Sequence, residues 1–227
     1  MPLAIKALFF DVFGTLVDWR TSVAREVQAL LAPRGYALDW LAMADAWRGE
    51  YQGAMEEVRA GRIPFCKLDE LHRRYLERIL PRFGIGALGD DVLRDLNLAW
   101  HRLDAWPEVT PALARLKRRY LLAPVSNGNI SLMVDLARRN DFPWDAILGA
   151  EIAGDYKPKP GVYLAAAEAF DLAAHSSDLQ AAAAPGLRTA HIARPNESGP
   201  GRGEREPSVP VDLAAKDLAH LAEQLGV

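Results

Sequence analysis

Short apolar runs alternating with helical stretches constrain this chain more than any other feature. Residues 4 to 10, AIKALFF, form a mostly apolar run of the kind that a parallel strand buried on both faces requires. YLLAPVSNG (120–128), WDAILGAE (144–151) and RTAHIA (188–193) have the same character. Between and after them lie helical segments: PALARLKRR with Thr110 as N-cap and Pro111 in its first turn, ISLMVDLARR, PGVYLAAAEAF and the closing DLAAKDLAHLAEQL. Strands alternating with helices imply an α/β fold with a doubly wound parallel sheet.

From about residue 20 to 100 the texture is helical throughout. Trp47, Tyr51, Met55 and Val58 recur at helical spacing, as do Leu71, Tyr75 and Ile79, with charged residues between them. This reads as an all-helical insertion. The expected division is a core made of residues 1–16 and 101–227, interrupted by a helical cap at 17–100. The stretch RPNESGPGRGEREPSVPVD reads as a polar surface loop. One connection is too short. Only DLAA separates Phe170 from His175, whereas the preceding helix carries the chain about 15 Å across the sheet and four extended residues reach at most about 14 Å. Either a strained link replaces a strand there, or the chain lacks residues of the parent protein; the second is preferred.

Bulk properties exclude several classes. A formal net charge of -3 with scattered Arg and Lys offers no field for nucleic acid. The N-terminal segment lacks the pattern of a signal peptide, and no stretch approaches the roughly 20 apolar residues of a membrane span. The single cysteine, Cys66, cannot form an internal disulfide and has no neighbours at metal-ligand spacing, so a cytoplasmic setting is expected.

The chemistry sits where the strands end. In open α/β sheets, ligands bind at the carboxyl edge, and Asp11, Ser126 with Asn127, Lys157 and Asp178 all fall at strand-to-helix junctions or their equivalents. Singly, each has an ordinary structural reading as a cap, turn or surface residue. A carboxylate ending a buried strand is costly unless partners hold it or chemistry uses it.

Together these residues resemble the haloacid dehalogenase superfamily. The resemblance rests on FFDVFGT with Asp11 and Thr15, SNG with Ser126, YKPKP with Lys157, and HSSD with Asp178. The superfamily's phosphatases carry a second aspartate two residues after the nucleophile, where this chain has Phe13, and AHSSDL stands in place of a paired-aspartate magnesium motif. The chain therefore looks more like the (S)-2-haloacid dehalogenase subgroup, whose members need no metal or cofactor and are usually homodimers. WRGEY places Arg48 where that subgroup's cap supplies an arginine, and Tyr163 matches its tyrosine after the lysine motif.

The resemblance implies hydrolysis of short L-2-haloalkanoic acids to D-2-hydroxy acids and halide. Asp11 would attack the halogen-bearing carbon and form an ester. Lys157 would keep Asp11 ionised, Ser126 and Thr15 would donate hydrogen bonds, and Arg48 would accompany the halide or clamp the substrate carboxylate. Asn127 offers an amide N–H to the halide. Asp178 is the candidate base for the second step, and His175, three residues before it, is base, halide-pocket donor or a helix-start histidine. Phe13, Trp19, Trp47 and Tyr51 form either an apolar pocket or the cap's own core. His72, His101, His191 and His220 read as surface or packing residues. Two other readings stay open: a magnesium-dependent phosphatase or phosphonate hydrolase of the same superfamily, and a non-catalytic binding or dimerisation protein on the same fold.

Overall fold

The computed structural model describes residues 5–170 and 188–227. In chain order, β1 (Ala7–Phe10) and β2 (Val17–Asp18) lead into helices α1 (Trp19–Leu31), α2 (Trp40–Gly49), α3 (Tyr51–Arg59), α4 (Leu68–Ile79) and α5 (Asp90–Asn97). Then come β3 (Asp104–Ala105), α6 (Val109–Leu116), β4 (Leu121–Ser126), α7 (Ile130–Asn140), β5 (Leu148–Gly149), α8 (Ala150–Ala153) and α9 (Pro160–Phe170). β6 (Ala190–Ile192), β7 (Leu213–Ala215) and a last helix, α10 (Leu218–Gln224), follow.

The architecture is α/β with a helical cap inserted after β2. β4 pairs in parallel with both β1 and β5, with Phe10 opposite Pro124 and Ser126 opposite Gly149. β6 and β7 make a separate parallel pair, and β2 with β3 an antiparallel one at the entry and exit of the cap. Parallel strands aim their carboxyl ends the same way, so the loops after β1, β4 and β5 share one edge.

Local chemistry explains the boundaries. The Asp18 side chain accepts the Thr21 N–H (3.1 Å) to start α1, and Asp39 does the same for α2 through Ala42 (2.9 Å). Two segments differ from the sequence expectation. DLAAKDLAHLAEQL is not one helix: its first residues form β7 beside β6, because the Asp217 carboxylate accepts the His220 N–H (2.7 Å) and starts the helix only there. Thr110 does not cap α6; its hydroxyl donates to the Asn140 carbonyl (2.8 Å), and Glu108 occupies the cap position. The short connection at 171–174 lies outside the described residues.

One apolar cluster runs from the sheet into the helices, and its centre is Trp100, 1% exposed. Its ring stacks on His72 at 4.4 Å and on Trp19 at 6.3 Å, and meets Trp47 and Phe13 edge-on at 5.6 and 6.0 Å. His72 is thus a packing residue as expected. Burial, with Arg48 and His101 adding to it against Asp69, lowers its pKa to about 3. His101 is different. Its Nε2 lies 3.1 Å from Asp69 on α4 and its Nδ1 2.8 Å from Asp135 on α7, tying the cap to the core. Burial opposes the charged imidazole, but hydrogen bonds and charge from Asp69 and Asp135 outweigh it and raise the His101 pKa.

A raised folded-state pKa makes the clamp strongest when His101 is protonated. Its stabilisation is full below the unfolded-state pKa of about 6.5 and is lost as pH rises through the folded-state value. Urea unfolding followed from pH 6 to 9 is expected to show this decline, and His101→Gln should flatten it while costing about 1–3 kcal/mol at pH 6.

Candidate active site

Asp11 follows the last residue of β1, at the sheet edge. The loop then turns back sharply: the Val12 carbonyl accepts the Leu16 N–H (2.9 Å) and the Val17 N–H (3.2 Å), and Gly14 adopts φ +88°. A side chain at Gly14 would be strained by that φ, so glycine suits the turn. The turn brings Thr15 back over the strand end, where its hydroxyl donates to Asp11 Oδ2 at 3.1 Å.

Lys157 enters from the loop between α8 and α9. Its Nζ stands 2.9 Å from Asp11 Oδ1, and its side chain is 5% exposed against 24% for Asp11. Two bonds hold its backbone: the N–H donates to Asn127 Oδ1 (2.8 Å), and the carbonyl accepts Arg59 Nη1 of α3 (2.5 Å). Asn127 therefore positions the lysine loop, a contact its reading as a halide ligand did not include. Ser126 ends β4, fully buried, with Oγ accepting the Gly128 N–H at 3.1 Å.

Above this edge stands the cap. The Arg48 guanidinium lies over Tyr51 at 4.0 Å and over Trp19 and Phe13 at 5.3 and 5.9 Å, held by ring faces. Its Nη1 is buried without a hydrogen-bond partner among the described residues. A cavity of about 430 Å³ separates cap from core, lined by Asp11, Phe13, Thr15, Arg48, Tyr51, Asn127 and Lys157. Of the four aromatics expected at a pocket, Phe13 and Tyr51 line it. Trp47 belongs to the cap core, with Nε1 donating to the His72 carbonyl (3.0 Å), and Trp19 lies behind Arg48.

Tyr163 sits apart from the cavity lining, 1% exposed in a second cluster with Phe9, Ala123 and Val125. His175 and Asp178 lie outside the described residues.

The largest difference concerns RPNESGPGRGEREPSVPVD. Its first half is no free surface loop but the remaining wall of the cavity. Arg194 donates to the Thr15 carbonyl (2.7 Å) and pairs with Glu108 (2.6 Å), and Glu197 accepts the Trp19 indole N–H (3.3 Å). His191, Arg194, Glu197 and Glu204 all line the space. His191, buried on β6, is therefore neither a surface residue nor pure packing. The only hint in the sequence was that this segment follows a strand, RTAHIA, as a strand-to-helix connection does.

An aspartate gripped by lysine and threonine, under an arginine with an open donor, suits attack by a carboxylate on an anionic substrate. The sequence pattern of haloacid dehalogenase-like hydrolases matches residues 5–183. (S)-2-haloacid dehalogenase 1 of Pseudomonas sp. (strain CBS-3) is 27% identical over 205 residues, covering 85% of this chain and 86% of the relative. Among crystal structures, the defluorinating L-2-haloacid dehalogenase Rha0230 superposes with a TM-score of 0.94 at 40% identity, covering 98% of this chain and 96% of that one. The L-2-haloacid dehalogenase PA0810 gives 0.92 at 44% identity, covering 98% and 99%.

The tight turn after Asp11 yields a direct test. A Cβ added at Gly14 would stand 2.1 Å from Glu197 Oε1. Gly14→Ala is expected to destabilise the fold by about 1–3 kcal/mol, read by urea denaturation.

Proposed function

The chain belongs to the haloacid dehalogenase-like hydrolases, on their L-2-haloacid dehalogenase branch, and from that premise we propose that it hydrolyses short L-2-haloacids to D-2-hydroxy acids and halide. The observation that carries the reading is the Asp11–Lys157 pair at 2.9 Å facing Arg48 across one cavity.

In the first step an Asp11 carboxylate oxygen attacks C2 of the substrate from the side opposite the halogen. The C–O bond forms as the carbon–halogen bond breaks with its electron pair, inverting C2. Lys157 and Thr15 aim the nucleophile, one on each oxygen. Arg48 takes the substrate carboxylate or the departing halide on its open Nη1, and Phe13 and Tyr51 keep bulk water from the reacting carbon. In the second step water attacks the ester carbonyl carbon of Asp11. A base takes one proton from the water, the acyl C–O bond breaks, the departing alkoxide oxygen takes up a proton to leave as the hydroxy acid, and loss of the remaining proton to solvent restores the carboxylate. Asp178, assisted by His175, is the proposed base. Ser126 and Asn127 support the geometry from beneath, Asn127 by holding the Lys157 backbone. Tyr163 is proposed as a buried support for the lysine helix.

Phe13 favours this reading over a phosphatase. It occupies the position where a leaving-group acid would stand, and its ring packs edge-on against Tyr51 and Trp100. A cytoplasmic homodimer completes the proposal; Cys66, the lone cysteine, suits a reducing compartment, and light scattering would read the dimer mass. Fluorinated 2-haloacids belong in the substrate panel, given the likeness to a defluorinating relative.

Chloride release from L-2-chloropropionate, followed by ion chromatography with a chelator present, is the deciding assay, with p-nitrophenyl phosphate plus magnesium as the control. Release unaffected by the chelator is expected; phosphate cleavage alone would overturn the reading. Asp11→Asn should lower chloride release by at least about a thousandfold, with circular dichroism used to establish that the variant is folded.

A further inference from the structure

Glu197 is an acidic residue of the site for which the dehalogenation chemistry has no use, and neither the core strands nor the cap supplies it. Its loop holds itself in place: the Glu197 N–H donates to the Arg194 carbonyl (3.2 Å), the Ser198 N–H to the Arg202 carbonyl (3.1 Å), and the Arg194 N–H to the Glu204 carbonyl (2.7 Å). Arg194 anchors the loop to the Thr15 carbonyl, so the nucleophile turn and the Glu197 loop are one unit. Oε1 of Glu197 accepts the Trp19 indole N–H and packs against Gly14. The same Trp19 ring carries Arg48 at 5.3 Å on its face.

Arg48 makes no ion pair among the described residues, and its buried Nη1 has no acceptor there. Glu197 lines the same cavity and meets the same Trp19 ring as Arg48, without a salt bridge to it. An anionic substrate entering the cavity brings a second negative charge to the same guanidinium. We propose that Glu197 is a positioning residue acting through Arg48, the resident countercharge that sets how tightly the site holds an anionic substrate. The inference rests on the site reading proposed above.

The groups facing Glu197 are Arg48 from α2, Asp11 from the loop after β1 and Glu204 from its own loop. Lys157, Arg194 and His191 line the same cavity. Burial pushes the Glu197 carboxyl above the usual carboxylate range, Asp11 and Glu204 add to the rise, and Arg48 and the Trp19 N–H oppose it. Below its pKa the acid is neutral and Arg48 is open to an incoming anion. Above it, the carboxylate offsets the guanidinium charge and repels that anion. Anion affinity therefore falls as pH rises through the Glu197 pKa.

The test uses propionate, which has the substrate's carboxylate and no leaving group, titrated by calorimetry into the full chain from pH 5 to 9. The wild type is expected to lose affinity as pH rises through the Glu197 pKa. Glu197→Gln keeps the acceptor for the Trp19 N–H and should remove the slope, binding propionate about tenfold tighter at the alkaline end, the size expected of one nearby charge in a partly solvated cavity. Glu197→Asp keeps the charge and should keep the slope; thermal melts establish that each variant is folded. A slope that persists in Glu197→Gln would assign the titration to another group and overturn the inference, as would a wild type that binds no propionate. A slope abolished by Glu197→Gln in a protein that releases no chloride would leave the countercharge standing and sink the dehalogenase reading instead.

Discussion

Everything in this site depends on one ion pair, Lys157 Nζ against Asp11 Oδ1. The lysine side chain is 5% exposed, and an ammonium removed from water that far is costly unless a carboxylate and fixed dipoles repay the lost hydration. The pair can exist only because two segments 146 residues apart arrive at one sheet edge. β1 delivers Asp11 and the loop after α8 delivers Lys157, with β4 and its Asn127 between them as the piece that holds both in register. The contact therefore ties the loop after β1 to the loop after α8.

The cap completes the arrangement by supplying what the sheet edge lacks. Arg59 of α3 fixes the Lys157 carbonyl, and Arg48 of α2 hangs over the cavity on a set of ring faces. Trp100 and its neighbours form a continuous apolar seam under both, so cap and core are packed as one body, with His101 as a polar clamp between Asp69 and Asp135. The loop after β6 closes the remaining side. Its glycines and prolines give it turns tight enough to satisfy its own backbone, and Arg194 and Glu197 are thereby presented inward rather than to solvent.

Much of this was legible in the residues. Runs such as ALFF and LLAPVS are apolar without alternation, which only a strand covered on both faces tolerates, and the 3.6-residue recurrence of Trp47, Tyr51, Met55 and Val58 gives the cap helices their buried stripe. Asp11 could be singled out because a charge ending an apolar run needs a reason, Lys157 because it falls at a strand-to-helix junction, and Thr15 and Arg48 through the resemblance carried by FFDVFGT and WRGEY. What misled was composition. A segment dense in Gly, Pro and charge looks like solvated loop, yet Glu197 and Arg194 face a cavity. A stretch rich in Ala and Leu looks helical, yet Leu213–Ala215 pairs with β6, and Asp217 caps the helix late. His101 and His191 gave no local sign of their partners.

The sequence by itself determined most element types, the parallel α/β class and Asp11 as a residue that needs partners or a use, because these follow from periodicity and from the cost of a carboxylate at a buried strand end. Only the tertiary structure decided which charges meet. That Asn127 holds the lysine backbone, that Tyr163 packs behind the sheet, and that Glu197 shares a cavity with Asp11 and Arg48 are contacts across 30 to 186 residues of chain. Such contacts depend on where loops cross, and loop paths are set by the packing of the elements they join, not by the residues within them.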